Sequence, residues 1–196
     1  MEVLKIFRQK TTNARDIMHF VHTREATERD DSALGGFLLK VFGQATCENK
    51  PDVPLVPGRI QELLNVSGRR AHGSVRILEL GDRIIGSYSL IRPQTDLTGA
   101  WSNEAAYFCS FAIDSSIQGL GLAALLLMEA HALALSWEMK AMQLKVVSTA
   151  EGLHRLYKKA GFYPDPKGDG HEFGFDLNGY TCELSLLKTN DLLKVM

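Results

Sequence analysis

Residues 107–134 read YFCSFAIDSSIQGLGLAALLLMEAHALA and divide into three parts of different character. Residues 107–113 form an apolar, aromatic run of strand length, and residues 114–116 (DSS) have turn chemistry. From Gly119 onward the segment is rich in Ala, Leu and Met, which favour helix. The stretch predicts a strand, a tight turn and a helix, and the rest of the chain is interpreted outward from it.

The predicted helix begins within residues 118–123, where two glycines and an alanine leave the first-turn backbone uncovered by side chains. The N–H groups there have no earlier carbonyl to pair with and lie at the positive end of the helix dipole. This arrangement favours binding of an anion, and a diphosphate is the anion that fits best. Such a turn can also simply allow a helix to pack closely on a strand. Neither Gly-x-Gly-x-x-Gly with a ribose-binding acid nor Gly-Lys-Ser/Thr is present.

Two motifs in this region resemble those of the GNAT superfamily of N-acetyltransferases. The letters QGLGLA at 118–123, after a strand ending in AID at 112–114, are similar to the Arg/Gln-x-x-Gly-x-Gly/Ala signature that binds the pyrophosphate of acetyl-CoA. The letters LYKKAGF at 156–162 resemble the Leu-Tyr-x-Lys-x-Gly-Phe motif, which ends the helix after the next strand. The resemblance covers residues 75–187, whereas residues 1–74 match only in predicted secondary structure.

Composition and charge narrow the class of protein. The 196 residues, 45% hydrophobic and 23% charged, fit one soluble globular domain. A formal charge of -1 predicts no binding to nucleic acid or to an anionic membrane. The three cysteines lack Cys-x-x-Cys spacing, so no disulfide framework or zinc site is expected, and the reduced cytoplasm is the predicted location. No signal peptide or membrane span is predicted either.

The predicted elements around the central stretch assemble into one sheet. Residues 75–80 and 83–91 flank Gly81-Asp82 and predict a hairpin. Residues 142–147 predict a strand parallel to residues 107–113, because a crossover helix joins the two. A helix over residues 151–160 ended by Gly161, followed by strand segments at 173–175 and 180–187, completes this part.

The first part of the chain has weaker patterns. Residues 3–7 predict a strand, and a helix from Thr12 runs into the charged residues 23–31, which are interpreted as a solvated helix end or loop. A second helix is predicted over residues 32–42, and three prolines make residues 47–58 an ordered loop or lid. Residues 60–66 predict a short helix. The basic residues that follow are interpreted as a solvated loop or as the edge of a pocket for an acidic substrate; they are Arg69, Arg70 and His72.

The fold class predicted from these elements is α/β (α+β), with one mixed sheet and helices on its faces. The resemblance implies the GNAT topology, a mostly antiparallel sheet in which two parallel central strands splay apart to admit the cofactor. We expect a single domain over residues 1–196, with acceptor-side helices and a loop in residues 1–74 and the cofactor-binding core in residues 75–187.

The resemblance also implies a function and its residues. It implies an acetyl-CoA-dependent N-acetyltransferase that acts on a primary amine, preferably of a small molecule, by direct attack in a ternary complex without metal. The backbone of Phe111, Ala112 and Ile113 would pair with the pantetheine arm, with the amide of Phe111 on the thioester oxygen. Tyr157 matches the residue that protonates the departing sulfur in many relatives. The pyrophosphate would be held by N–H groups of Gln118, Gly119, Leu120, Gly121, Leu122, Ala123 and Ala124.

No general base is evident from the sequence. Strand alternation predicts that Tyr107, Cys109, Phe111 and Ile113 share one face. Relatives often carry Glu or His at the positions of Tyr107 or Cys109, and this chain has neither. Tyr107 remains a candidate catalytic residue by position, Glu104 could act through water, and Cys109 is interpreted as an inert buried cysteine rather than an acyl carrier.

Other residues leave alternatives open. By the resemblance, Glu25, Glu28, Asp30 or Asp31 could hold a cationic amine, and Ala150 stands where many relatives have an Asn on the cofactor. His19 and His22 share a predicted helix face without a third ligand, so no metal site is expected. His131 is interpreted as a core histidine, and His154 as lining the cofactor or exposed.

Three alternatives remain for function and assembly. The protein could acetylate proteins or peptides instead of small molecules. It could also be a non-catalytic acyl-CoA-binding regulator, since the usual base is absent. The residues from Lys188 onward are interpreted as a short tail or a dimer element, so a homodimer is left open.

Overall fold

The computed structural model describes residues 21–49 and 55–184, with side chains described for 21–44 and 55–184. The strand predicted at residues 3–7, the helix predicted from Thr12, His19 and the segment from Lys188 lie outside these residues.

Eight strands and five helices are formed within the described ranges. The strands are β1 (Val21–Glu25), β2 (Gly73–Leu80), β3 (Arg83–Ile91), β4 (Ala105–Ile113), β5 (Ala141–Val147), β6 (Tyr163–Pro164), β7 (Gly170–Glu172) and β8 (Phe175–Glu183). The helices are α1 (Asp31–Asn49), α2 (Pro57–Leu64), α3 (Val66–His72), α4 (Leu122–Ser136) and α5 (Glu151–Lys159). Short 3₁₀ turns occupy Glu28–Asp30, Ser115–Ile117 and Pro166–Gly168.

All eight strands belong to one sheet, ordered β1-β2-β3-β4-β5-β8-β6, with β7 paired to β8. The β4–β5 pair is parallel, and the other described pairs are antiparallel. The predicted fold class is confirmed, as are the β2–β3 hairpin, the strand at β5 and the helix at α5. Gly161 follows α5 with φ +89°, a left-handed conformation that favours glycine and ends helices.

The parallel pair separates early. β4 pairs with β5 only where Ala105–Tyr107 lies beside Ala141–Gln143. Beyond that point each strand keeps its outer neighbour, because β4 continues along β3 to Ile113 and β5 continues along β8 to Val147. The strands therefore diverge toward their C-terminal ends and leave a gap inside the sheet.

Two hydrophobic cores lie on opposite faces of the sheet. On the α4 face, α4 buries Leu122, Leu126, Ala130 and Ala134, four residues at i, i+4 spacing. The same core contains Tyr157 and Phe162. Each buried leucine of this row contributes about 1.5–3 kcal/mol, and Leu126→Ala would cost about 2–5 kcal/mol. α4 is thereby fixed against β3, β4 and β5.

The α1 face is covered by α1, α2 and α3. Its core joins Leu34 and Leu38 of α1 to Leu63, Val66 and the inward residues of β2. The prediction of a helix over residues 32–42 is confirmed in position, but α1 is longer and ends at Asn49. The predicted loop over residues 47–58 is therefore wrong at both ends, since α1 enters it and α2 begins inside it at Pro57. Proline suits a first helical position because the N–H it lacks would be unpaired there.

Three other predictions are corrected. Residues 23–25 of the charged region belong to strand β1, which pairs with β2, and Arg24 there bonds Glu79 of β2 at 2.6 Å and Asp30 at 2.8 Å. The basic residues 69–72 lie in helix α3, not in a loop. The last strands are β7 and β8, and Phe173 (φ +54°) with Gly174 (φ +84°) makes the turn between them instead of a strand.

Candidate active site

A cavity of about 210 Å³ opens where β4 and β5 diverge. It receives residues from both faces of the sheet, because Tyr157 belongs to the α4-face core whereas Phe42 and Leu55 pack on the α1-face core. The cavity thus passes through the sheet. Its other lining residues include Arg59, Glu62, Tyr107, Cys109, Ser110, Phe111, Lys145, Val147, Ala150, Leu153, Glu172, Phe173, Phe175 and Leu177.

A β-bulge in β4 decides which residues face which end of the cavity. Cys109 pairs with Ser89 and Ala112 with Ser87, so two residues of β4 stand opposite Tyr88 alone. The extra residue shifts the alternation of side chains by one. Phe111 and Ile113 consequently pack on the α4-face core, whereas Ala112 belongs to the α1-face core.

The bulge overturns the prediction that Tyr107, Cys109, Phe111 and Ile113 share one face. Cys109 pairs with Ser89, which is also the partner of Val75 in the α1-face core, so Cys109 lies on that face. Phe111 instead lies with its ring 5.3 Å from Phe108 and 6.4 Å from Tyr157. An uninterrupted period of two had been assumed, and the sequence carries no glycine at this point to indicate a bulge.

Ser110 occupies the bulge with φ +50°, a left-handed conformation that costs a non-glycine residue about 1–3 kcal/mol. Its hydroxyl is buried, lines the cavity and has no hydrogen-bond partner among the described residues. The strain and the unpaired hydroxyl both lie at the gap between β4 and β5, where a ligand would contact the strand. This residue was not singled out from the sequence.

The turn after β4 is held by Asp114. Its carboxylate accepts from the backbone N–H of Ser116 at 2.9 Å and from the Ser116 hydroxyl at 2.7 Å, and it also contacts Arg83. Burial would raise the pKa of Asp114, but these hydrogen bonds and the charge of Arg83 outweigh it and lower the pKa. The turn therefore starts from a fixed, ionised anchor.

The glycines of the turn expose a set of backbone donors. Gly119 (φ +84°) and Gly121 (φ +77°) are both left-handed, and a Cβ on either would meet no atom within 4 Å. Within the described residues, no carbonyl accepts from the amides of residues 119–123, whereas Ala124 and Leu125 donate to the Gly121 oxygen at 3.0 and 3.2 Å. The free donors are thus residues 119–123. Ala124, predicted as a further donor, is already paired within the helix.

Gln118 differs from the other residues predicted to bind the anion. Its backbone N–H lies 3.5 Å from the Ser115 oxygen, which closes the preceding 3₁₀ turn. It therefore stands at the edge of the donor set rather than within it.

Tyr157 of α5 lies at the α4-face end of the cavity. Its ring is 5.8 Å from Phe162 and 6.5 Å from Tyr180, and its hydroxyl has no partner among the described residues. Burial raises the pKa of the phenol, so it stays protonated through the physiological range. The group can donate a hydrogen bond into the cavity, and it cannot serve as a base there.

His154 joins three elements instead of lining the cavity. Its Nε2 donates to the carbonyl oxygens of Val147 and Ser148, both at 3.1 Å, and its Nδ1 shares a hydrogen bond of 2.8 Å with the Tyr180 hydroxyl. A carbonyl oxygen can only accept, so Nε2 carries a proton. His154 thus fastens α5 to the end of β5 and to β8. His131 is fully buried against Phe162, as predicted for a core histidine.

The α1-face end of the cavity holds two ion pairs. Arg59 pairs with Glu62 along α2, and Lys145 of β5 lies 2.6 Å from Glu172 of β7. The Arg59 guanidinium also lies 4.8 Å from the ring centre of Phe42 and 5.5 Å from that of Phe173. None of these residues was predicted. The one readable signal is Lys145, a charged residue inside the apolar strand sequence AMQLKVV.

Arg69 of α3 is buried behind this end of the cavity, with 4% of its surface exposed. Its guanidinium donates to the carbonyl oxygens of Glu62 and Leu63, the latter at 2.9 Å, and so caps the last turn of α2. Its Nε has no partner among the described residues. A buried cation with an unpaired donor is unusual, because each unpaired group costs about 1–3 kcal/mol.

Cys109 and Tyr107 line the same end. Burial raises the pKa of the Cys109 thiol to about 11, although the nearby charge of Arg69 acts in the opposite direction. Burial also holds the pKa of Tyr107 well above its ordinary value. Both groups are neutral near pH 7, so neither is a base or an activated nucleophile.

Glu104 is not brought to the cavity. It lies just before β4, at the end where β4 and β5 are still paired, and its backbone oxygen accepts from Lys140 at 2.9 Å. Its side chain is mostly exposed and paired with Lys140. The acidic residues proposed to hold an amine are engaged elsewhere as well: Glu25 with Arg76, Asp30 with Arg24, and Asp31 with Arg70. Glu28 is likewise absent from the residues that line the cavity.

Residues 21–49 and 55–184 contain neither a metal-binding cluster nor a membrane-spanning helix. No group of three or more His, Cys, Asp or Glu side chains there is arranged to hold a metal ion. No helix in the same ranges combines the length and the apolar character needed to span a membrane.

The sequence of this chain matches one protein family, and its structure resembles solved structures of one fold. A sequence model described as the acetyltransferase (GNAT) family matches residues 40–162. No curated protein matches. A GNAT-family acetyltransferase from Staphylococcus aureus Mu50 is 16% identical with a TM-score of 0.66, over 84% of this chain and 99% of that one.

Two further solved structures are similar. An acetyltransferase from Streptococcus agalactiae is 14% identical with a TM-score of 0.67, over 84% of this chain and 98% of that one. The yncA protein of Salmonella typhimurium, a putative acetyltransferase solved with its cofactor acetyl-CoA, is 17% identical with a TM-score of 0.62, over 86% and 96% of the two chains. At these identities the likeness is one of fold.

Proposed function

Because the chain belongs to the GNAT acetyltransferase family, we propose that it transfers the acetyl group of acetyl-CoA to a primary amine of a small molecule. The observation that carries the proposal is the cavity between the diverging strands β4 and β5. Its α1-face end is lined by charged side chains, and β4, which lines it along residues 107–111, leads at its C-terminal end into the turn that carries the free amides of residues 119–123. A thioester and an amine that enter from opposite faces can therefore meet inside the sheet.

The residues on the α4 face fit acetyl-CoA. The five free amides of residues 119–123 lie at the N-terminus of α4, and the open space beside Gly119 and Gly121 lets a diphosphate approach them. The backbone of Phe111, Ala112 and Ile113 is unpaired on the side of β5, which suits an extended pantetheine arm. Acetyl-CoA supplies the activated acetyl group, and these residues would bind and orient it.

The reaction needs one bond made and one broken. The amine nitrogen bonds to the acetyl carbon, the carbon–sulfur bond breaks, and one amine proton finishes on the sulfur. The Phe111 amide would donate to the acetyl oxygen as negative charge develops there. Tyr157, held protonated by burial, would donate to the sulfur as it departs.

The amine must be neutral when it attacks. Tyr107 and Cys109 are unsuitable as bases, and Glu104 lies outside the cavity. The two carboxylates that do line the cavity, Glu62 and Glu172, are both paired with cations. We therefore propose that the amine reacts as its neutral fraction. With this mechanism, kcat/KM rises toward alkaline pH and its midpoint follows the pKa of the amine supplied.

The decisive experiment measures thiol release from acetyl-CoA across a broad panel of amines. Turnover with small amines supports the proposal. Incubation with a cell lysate and labelled acetyl-CoA then asks whether label enters small molecules or macromolecules, and label in macromolecules alone would favour a protein or peptide acetyltransferase. Acetyl-CoA binding without thiol release for any amine would favour a non-catalytic acyl-CoA-binding regulator.

A further inference from the structure

Among the residues whose side chains the structure describes, the α1-face end of the cavity carries more positive than negative charge. Three cations, Arg59, Arg69 and Lys145, stand against two carboxylates, Glu62 and Glu172. Arg70 and Asp31 lie nearby on α3 and α1, but they pair with each other at 2.8 Å and cancel. The excess charge comes from Arg69, whose guanidinium bonds two carbonyl oxygens and no carboxylate.

Burial strengthens the electrostatic effect of this excess positive charge. Arg69 is 96% removed from solvent, so water screens its charge poorly, and its influence reaches the groups of Cys109, Glu62 and Arg59 that line the cavity. Its Nε is also an unpaired buried donor. Both features cost the protein free energy, and a negatively charged ligand would relieve the first.

We propose that the acceptor carries a carboxylate beside its amine, so that the substrate class is a small amino acid or a close analogue. The inference rests on the proposed acetyl transfer and adds the chemistry of the acceptor. The carboxylate would lie near Arg59, whose planar guanidinium lies against the rings of Phe42 and Phe173 and matches a carboxylate in shape. The amine would lie toward Glu172 and the gap in the sheet.

Charge balance connects this acceptor to the missing base. An amino acid that is ready to attack has a neutral amine and an ionised carboxylate, so its net charge is -1 and it balances the excess at the site. An ammonium group would instead add to the positive charge there. The buried cation therefore favours loss of the proton from the bound amine, which lowers the pKa of that amine without a dedicated base.

Matched pairs of acceptors test the inference. Leucine and isopentylamine, or phenylalanine and phenethylamine, differ only in the carboxylate. We expect kcat/KM per neutral amine to be at least about tenfold higher for the acid-bearing member of each pair, as an added charged hydrogen bond would give. Calorimetry on enzyme saturated with CoA should show at least about tenfold tighter binding of the same member, which is a readout independent of turnover.

Variants of Arg59 locate the effect. Arg59→Gln should bring the two members of each pair to within about threefold, since the neutral amide loses the charge. Arg155→Gln is the matched control, because Arg155 is an exposed arginine on α5 away from the cavity, and it should keep the full preference. Arg69→Gln tests the source of the excess charge. Its kcat/KM ratio for each pair is interpreted only if acetyl-CoA still raises the melting temperature of the variant, which shows that it is folded.

The outcomes separate the two proposals. Equal kcat/KM and equal binding within each pair would overturn the acceptor class while acetyl transfer stands. Thiol release from no amine, with no acetyl-CoA binding, would overturn the proposed function. A carboxylate preference that survives in Arg59→Gln and in folded Arg69→Gln would show that other groups read the carboxylate, and would overturn the assignment to this cluster.

Discussion

The two ends of the cavity are built in different ways. The α4-face end adjoins one continuous segment, in which β4 leads through a glycine turn into α4, and most of its proposed contacts are backbone groups. The α1-face end is lined by side chains on α1, α2, β5 and β7, which are distant in sequence, and Arg69 of α3 lies behind it. A contact made by the backbone requires a particular local conformation, so it is accompanied by a recognisable sequence motif. A contact made by side chains that are distant in sequence has no such motif.

The strongest way to break the first end is Gly121→Asp. Acetyl-CoA at a hundredfold excess over Kd should stabilise the wild-type protein by about 2.7 kcal/mol, which for a chain of this size raises Tm by several degrees. We expect the variant to lose this shift, because a carboxylate would stand among the free amides. Thermal unfolding with and without acetyl-CoA measures it.

The matched control is Gly81→Asp. Gly81 in the β2–β3 hairpin is also left-handed (φ +59°) with open space at its Cβ, so both variants carry a similar backbone strain. Gly81→Asp should keep the acetyl-CoA shift. A shift retained in Gly121→Asp would instead place the diphosphate elsewhere.

Tyr157→Phe tests a side-chain contact at the same end. Loss of the hydroxyl should lower kcat by about 10²-fold and leave the affinity for acetyl-CoA nearly unchanged, because the bond is needed only as charge develops on sulfur. Tyr180→Phe removes a neighbouring hydroxyl that bonds His154, so it should cost about 1 kcal/mol of stability and little rate. Equal kcat in wild type and Tyr157→Phe would assign Tyr157 to packing.

Cys109 tests whether the α1-face end holds a nucleophile. Burial raises the pKa of this thiol to about 11, so the thiolate is scarce at pH 8 and increases until the pH passes that value. Iodoacetamide labelling of Cys109, followed by mass spectrometry, should still accelerate between pH 9 and pH 10. Cys109→Ala should change kcat by less than about threefold. Loss of turnover in that variant, with acetyl label on Cys109 of the wild type, would point to a covalent intermediate.

The smallest effect is expected from Glu104→Gln. The side chain lies outside both ends and forms an exposed ion pair with Lys140, a kind of contact worth about 0–1 kcal/mol. We expect kcat/KM and its pH profile to be unchanged within error. A kcat/KM that levels off near pH 7 for amines of widely different basicity, and that loses this plateau in Glu104→Gln, would identify Glu104 as a base acting through water.

Much of the α4-face end could be predicted from the sequence. The order of strand, turn and helix, the glycine turn and Tyr157 all follow from local patterns that repeat wherever a backbone takes this course. Two details were missed. The bulge at Ser110 reversed the face of Phe111, and the first turn of α4 contains a bond from the Ala124 N–H to the Gly121 oxygen, so Ala124 is already paired. Both details depend on a shift of a single residue in the strand pairing or in the helix hydrogen bonds. The periodicity of side chains in the sequence does not resolve a shift that small.

The α1-face end could not be predicted in the same way. Arg69 stands in a basic run and was interpreted as a solvated loop, yet helix α3 buries it beneath α2. Glu172 and Lys145 are 27 residues apart and meet only because β7 folds back on β8, next to β5. Such encounters depend on the tertiary fold. The charged residues of the α1-face end are visible in the sequence, but no local sequence pattern indicates which of them come together.

The divergence of β4 and β5 also affects the protein in the absence of ligand. An open strand edge is a template for another extended chain, and proteins usually cover or shorten such edges. Here two edges face each other across a gap in the middle of the sheet. A misplaced segment of the same chain, or of a second copy, could pair there during folding. The feature that admits a ligand is therefore also the place where aggregation would begin, and ligand supply would help to set how long the protein persists.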